Sequence, residues 1–206
     1  MAVLRKTQIV GIAGGSGSGK TMLADYLYRG LKGRAVLISH DWYYRDCSHL
    51  SPAEKLKVNV DHPGALETPL LVRHLHELKA QRPVDTPRYD YATQSRLPGK
   101  VPVSPAEIIL LEGLFILHED RLRPLLDLRV FVDVPADIRL LRRIRRDTEK
   151  RGISLEETLD RYEHYVRPMH ERYVQPSAMH ANRLWMPLTT PKFPRKLLLE
   201  LNQLLK

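Results

Sequence analysis

The chain has 206 residues, 43% of them hydrophobic, which is enough to bury one sizeable core and suits a single domain, 1–206, with a small lid. Lys and Arg number 33 against 24 Asp and Glu, and the resulting formal charge of +9 suits anionic partners: nucleic acid, acidic lipid and nucleoside triphosphates alike. The single cysteine, Cys47, excludes an internal disulfide and a thiolate metal cluster, and the apolar run near the N-terminus breaks into glycines too soon for a secretory or membrane-spanning segment, so the expected compartment is the cytoplasm.

Residues 9–13 read as a buried strand, and Gly14-Gly15-Ser16-Gly17-Ser18-Gly19-Lys20-Thr21 follows at once, matching the pattern G-x-x-x-x-G-K-[ST]. Glycines let successive N–H groups curl around a triphosphate, and the helix that follows directs its positive end at that charge. Lys20 then reaches the β and γ phosphates and Thr21 offers a hydroxyl to Mg²⁺. That helix is expected over 20–32, closed by Gly33, with a short buried strand over 35–39 and Asp41 just beyond it.

Thr68 reads as the cap and Pro69 as the first position of a helix that carries Leu71, Leu75 and Leu78 and ends near Gln81. Residues 83–91 and 101–103 suggest extended pieces around a turn at 97–100, a hairpin beside the main sheet. Two further buried strands, 108–111 and 130–134, end in or next to the carboxylates Glu112 and Asp133. Strands alternating with helices imply an α/β architecture with a parallel sheet, and the loop motif makes it a P-loop NTPase fold with a small hairpin and a helical lid.

From Ala136 the helical period puts Ile138, Leu141 and Ile144 on one face, expected to pack, and Arg139, Arg143 and Arg146 on a basic opposite face. Ser154 and Glu157 form a capping box for the next helix, whose apolar positions run from Leu155 and Leu159 to Tyr173, with a kink expected near Arg167 because of Pro168. Residues 187–194 read as irregular. No pattern of zinc ligands accompanies the nine histidines, which read as surface or satisfied side chains.

In an open α/β sheet, ligands bind beyond the carboxyl ends of the strands, where the phosphate loop, Asp41 and Glu112 are all expected. Phosphoryl transfer needs a carboxylate to hold metal, a carboxylate to accept a proton and cations to offset charge on the transferred group. Glu112, Asp41 and the arginines of 139–151 can fill those roles.

The blocks Ser39-His40-Asp41-Trp42-Tyr43-Tyr44, Asn59-Val60-Asp61-His62-Pro63, Pro87-Arg88-Tyr89-Asp90-Tyr91, Leu111-Glu112-Gly113, Arg142-Arg143-Ile144-Arg145-Arg146-Asp147, Arg151-Gly152 and Arg167-Pro168-Met169-His170 go beyond a generic phosphate-loop protein. In order and from about residue 9 to 187, the chain resembles the uridine-cytidine kinase family. The resemblance implies ATP-dependent phosphorylation of the 5′-hydroxyl of a pyrimidine nucleoside. It implies Asp41 as the base, Tyr44 and Asp61 at the pocket and ribose diol, and Mg²⁺ near Thr21 and Glu112. It also implies Tyr89 against the nucleobase, Arg143 near the nucleoside, Arg146 and Arg151 over the phosphates, a lid over about 139–160 and a nucleoside-side insertion over about 41–103. A homo-oligomer, often a tetramer, is the assembly the family suggests.

The chain departs from the family pattern at Gln94, where a base-reading His is usual, and at Ile153 and Arg161, where an Arg and a Gln are usual. An amide at Gln94 carries both a donor and an acceptor and suits either uracil or cytosine. The stretch Ala181-Asn182 and Met186-Pro187-Leu188-Thr189 also differs, which bears on how adenine is held. Two other readings compete: a related kinase for another ribosyl or sugar-phosphate acceptor, and a nucleic-acid-associated ATPase using the basic surface. No nucleic-acid recognition motif accompanies the arginines, and no Asn-Lys-x-Asp guanine motif is present.

Overall fold

The apolar run near the N-terminus forms β1 (Gln8–Gly14), the middle strand of a sheet whose two faces are both buried. Ile9 and Ala13 face one core and Val10 and Ile12 the other, as the two-residue strand period requires. The structure, a computed structural model, describes residues 7–55, 58–91 and 93–205. After β1 come α1 (Lys20–Gly30), β2 (Ala35–Ser39), α2 (Pro52–Lys55), α3 (Thr68–Lys79), β3 (Val84–Thr86), β4 (Tyr89–Asp90), β5 (Ser95–Arg96) and β6 (Val101–Val103). The chain continues with β7 (Ile108–Gly113), β8 (Leu128–Val132), α4 (Ala136–Arg151), α5 (Leu155–Arg161), α6 (Arg167–Met169), α7 (Gln175–Ser177), β9 (Arg183–Trp185) and α8 (Phe193–Leu204).

The main sheet is parallel throughout and runs β2-β7-β1-β8-β9. On one face, Leu71, Leu75 and Leu78 of α3 pack with Ile9, Ile38 and Phe131; on the other, Leu23 and Leu27 of α1 and Leu197 and Leu201 of α8 pack with Val10, Ile12 and Val130. The expected hairpin is present in two steps, β3 pairing with β6 and β4 with β5, both antiparallel.

Several sequence expectations are corrected. Helix α1 stops at Gly30 rather than at 32, because Lys32 already has φ 48°, outside the right-handed helical region. Thr68 is the first residue of α3 and Glu67 its cap. The helical path expected to continue past Pro168 does so, and π-helical turns, Tyr162–Val166 and His170–Val174, flank α6 and widen the spiral where the sequence predicts a kink. Leu155 and Leu159 are exposed despite their helical spacing. The irregular segment extends only to Lys192, and β9 and α8 had no counterpart in the sequence reading.

The largest correction concerns α4, whose expected apolar face packs only in part: Ile138 rests on the core, but Leu141 is 54% exposed, whereas Arg139, Arg143 and Asp147 are buried, so the basic face turns inward. Each arginine finds a partner there: Arg139 Nε donates to the carbonyl of Val134 at 3.0 Å, and Arg143 faces both Ser16 and Asp147. Buried charge is tolerated when it is paired and hydrogen-bonded, and here pairing outweighs apolar periodicity.

Candidate active site

The phosphate loop leaves β1 at its carboxyl end and enters α1 with no side chain capping the helix and no acidic residue in its first turn. The N–H groups at the start of α1 therefore remain directed at the loop, an arrangement suited to an anion. Beside it, Lys20 Nζ lies 3.8 Å from Glu112 Oε2, Thr21 Oγ1 donates to the same oxygen at 3.3 Å, and Ser39 Oγ donates to Glu112 Oε1 at 2.6 Å. The register explains this convergence, because Glu112 of β7 is paired with Ile12 of β1 and Ser39 of β2. Burial raises the pKa of Glu112, Lys20 opposes that shift, and the neighbouring charge of Asp41 adds to it.

Asp41 lies in a single 3-10 turn, His40–Tyr43, capped by Ser39, whose hydroxyl accepts from the Asp41 N–H. Tyr91 OH donates to Asp41 Oδ2 at 3.4 Å, while Oδ1 is buried with no hydrogen-bond partner among the described residues. Such an orphaned acceptor is uncommon in native interiors and marks a place for an incoming donor or cation.

A cavity of about 280 Å³ opens between these strand ends, the hairpin and α4. Of the residues singled out from sequence, Ser16, Lys20, Asp41, Tyr44, Asp61, Tyr89, Gln94, Arg143, Arg146 and Arg151 all line it. Thr21 and Glu112 do not line it but meet beside Lys20 through the contacts above, and Gly14, Gly15, Gly17, Ser18 and Gly19 form the loop behind Ser16. Ile153 and Arg161 also line the cavity, and Arg161 pairs with Glu157 at 3.1 Å. Arg161 thus lines the pocket while it pairs along α5.

Three tyrosines form one wall: ring centroids of Tyr44 and Tyr89 are 5.1 Å apart, and Tyr91 meets both edge-on. Asp61 faces them, its pKa raised by burial and pulled back chiefly by Arg143. The turn before it is made by Asn59, whose side chain accepts from the Asp61 N–H, so the Asp61 carboxylate is not used in its own turn. Gln94, with φ 52°, leaves its buried Oε1 without a partner among the described residues.

The arginine helix docks on the phosphate loop directly. Arg142 donates to the carbonyl of Gly17 at 3.2 Å, while Arg143 and Arg146 both reach Ser16 Oγ, at 3.2 and 3.5 Å. Arg151 lies 4.8 Å over the ring of Tyr91, so the end of α4 meets the β4–β5 hairpin at the cavity. Sequence reasoning missed Tyr91 in this place, and it missed Glu157, Asp147 and His170, whose ring stands beside Gly15. Asp147 was recoverable from spacing, since it stands one helical turn from both Arg143 and Arg151.

Thr21, Ser39 and Glu112 bring side-chain oxygens together in an all-oxygen donor set, which fits a hard cation such as Mg²⁺. Among the described residues no three His, Cys, Asp or Glu side chains gather into a cage of their own. Mg²⁺ at kinase sites uses one or two carboxylates together with phosphate oxygens and water, so this set suffices.

The Phosphoribulokinase / Uridine kinase family model matches residues 9–189. A uridine kinase of Staphylococcus epidermidis is 42% identical over 180 residues, covering 87% of both chains, and one of Bacillus thuringiensis is 45% identical over 178 residues, covering 86% of this chain and 84% of that one. Among solved structures, a possible uridine kinase from Bacillus stearothermophilus superposes with a TM-score of 0.63 at 20% identity, covering 87% of this chain and 88% of that one. Phosphoribulokinase from Rhodobacter spheroides gives 0.61 at 20% identity, covering 86% of this chain and 68% of that one, and at such identity both speak for the fold alone. The match across nearly the whole described chain, with relatives above 40% identity, makes this protein a member of the phosphoribulokinase/uridine kinase family.

Proposed function

We propose that the protein is an ATP-dependent kinase that phosphorylates the 5′-hydroxyl of uridine or cytidine, in pyrimidine salvage. The observation that carries this reading is the meeting of a phosphate loop, two carboxylates and a tyrosine- and aspartate-lined cavity at one set of strand ends. In this proposal the loop N–H groups and Lys20 hold the β and γ phosphates of ATP, and Arg146 and Arg151 meet the charge on the group in flight. Asp41 accepts the proton of the nucleoside hydroxyl, for which its unpartnered Oδ1 is available. Asp61 accepts hydrogen bonds from both hydroxyls of the ribose cis-diol, Tyr44, Tyr89 and Arg143 line the nucleoside, and the Gln94 amide reads the pyrimidine edge.

Thr21 and Glu112 would hold Mg²⁺, which when bound neutralises phosphate charge. The segment 139–160 serves as lid and 41–103 supplies the nucleoside side. A cytoplasmic homo-oligomer, tetramer included, belongs to the same proposal; exposed Met22, Leu199 and Leu204 on α1 and α8 support assembly, and no described helix is long and apolar enough to cross a membrane.

An ADP-release screen tests the reading, with uridine, cytidine, adenosine, their deoxy forms and ribulose 5-phosphate as acceptors. Release stimulated by the two pyrimidine ribosides is expected. Activity confined to the sugar phosphate would replace the substrate while keeping the fold, and salt-dependent binding to nucleic acid without acceptor-stimulated release would reject the kinase.

A further inference from the structure

On the inner face of α4, three guanidinium groups converge on one carboxylate. Asp147 is 1% exposed, with Arg146 Nε at 2.9 Å and Arg151 Nη1 at 3.4 Å from its Oδ1, and Arg143 Nε at 3.1 Å from its Oδ2. The far sides of the same arginines bind the rest of the site. Arg143 and Arg146 donate to Ser16 Oγ in the phosphate loop, and Arg151 covers Tyr91, whose hydroxyl reaches Asp41. Asp147 itself is absent from the cavity lining.

Arginine side chains have many rotamers, and three of them brought together repel one another. A lone aspartate among them offsets that repulsion: Arg146 Nε donates a hydrogen bond to it, and Arg143 and Arg151 are held against it by ion-pair contact. Crowding by burial and by Arg146 and Arg143 lowers the pKa of Arg151, and Asp147 opposes that shift.

The geometry points to Asp147 as a positioning residue for phosphoryl transfer: it holds Arg143, Arg146 and Arg151 in the orientation in which they face the phosphate loop, without touching either substrate. This rests on the kinase reading above. A carboxylate of purely structural use would influence folding stability alone. A positioning carboxylate acts on the transition state, where the arginines must already be aimed, more than on ground-state binding of ATP.

The test compares the parent with Asp147→Asn, which keeps the shape and removes the charge. Two readouts are taken: steady-state kinetics with uridine and ATP, and phenylglyoxal labelling of individual arginines followed by peptide mass spectrometry. The expected result is a kcat lowered by about tenfold or more, an ATP KM changed less than about threefold, and faster labelling of Arg143, Arg146 and Arg151 with Arg145 unaffected. A kcat within about twofold of the parent, or unchanged labelling of the three arginines, overturns the inference. Should the Asn variant fail to fold, Asp147→Glu keeps the charge and pushes the forks outward by one methylene. Its kcat is expected to fall about threefold or more with ATP KM unchanged, and parental kcat and labelling in that variant overturn the inference equally. A parent without nucleoside-dependent ADP release contradicts the kinase reading instead, and the labelling then decides the role of Asp147 in holding the arginines.

Discussion

Adding one methyl group at Gly17 probes whether the arginine helix rests on the phosphate loop. A Cβ built there would stand 2.5 Å from the backbone carbonyl oxygen of Arg139 and 3.2 Å from its Cα, and Gly17 has φ 79°. Gly33 has nearly the same φ, 82°, with nothing within 4 Å of its Cβ position. Gly33→Ala therefore measures left-handed strain alone, about 1 kcal/mol. Gly17→Ala bears the same strain and forces α4 back by roughly 1 Å, because its obstacle is backbone and cannot swing aside; overpacking of this kind costs about 1–3 kcal/mol more. At about 2–4 °C per kcal/mol for a domain of this size, the two variants should separate by several degrees in Tm, measured by calorimetry or denaturant unfolding. Gly17→Ala should also lose turnover, since Arg143 and Arg146 are drawn away from Ser16. Equal stability of the two variants would refute the docking of α4 on the loop and with it the inward arginine face.

Other outcomes follow from the same site. Asp41→Asn should bind ATP nearly as the parent does but turn over about a hundredfold more slowly, measured by ADP release and equilibrium binding. Asp61→Ala should raise the uridine KM by roughly tenfold or more and narrow the gap between ribosides and deoxyribosides, since hydrogen bonds to a charged group are worth about 1.5–3 kcal/mol each; steady-state kinetics on paired substrates decide it. The pKa of Asp61 is raised by burial, so its ionisation opposes folding above that pKa and is silent below the ordinary carboxylate value. Stability should thus fall as pH rises through that window, and Asp61→Asn should melt higher than the parent at about pH 8 but no higher below about pH 4. Gln94→Ala should lower kcat/KM for uridine and cytidine together by roughly 1 kcal/mol per lost neutral hydrogen bond, while ATP binding stays unchanged.

What could be read from the sequence is what local chemistry dictates. The glycine pattern at 14–19 specifies its own backbone, and the apolar runs that became β1, β2 and β7 are buried on both faces, so the carboxylates at their ends fall at the ligand-binding edge. The inward face of α4 was not legible from periodicity, which assumes that charge faces water; only the family resemblance put Arg143, Arg146 and Arg151 at the site. The partners that turn that face inward are Ser16 Oγ of the phosphate loop, the carbonyl of Val134 just ahead of the helix, and Asp147 on the helix itself. Strand β9 spans only Arg183–Trp185 and pairs at the edge of the sheet, too short for an alternation to register. Helix α8 did carry a signal, Pro194 at its start with Leu197 and Leu201 one turn apart, hidden behind a proline- and threonine-rich approach. Tyr91 became part of the site only through the turn that brings β4 onto β5 and places its ring beneath Arg151.

The central claim is phosphoryl transfer from ATP to the 5′-oxygen of a pyrimidine riboside. Phosphorus NMR of the product formed from uridine and ATP tests it most directly, because a 5′-monoester couples to two C5′ protons and a 2′- or 3′-monoester to one. The account predicts a triplet that accumulates with ADP and is nearly absent when Asp41→Asn replaces the parent. A doublet, inorganic phosphate in place of any ester, or an undiminished triplet from the Asp41 variant would contradict it.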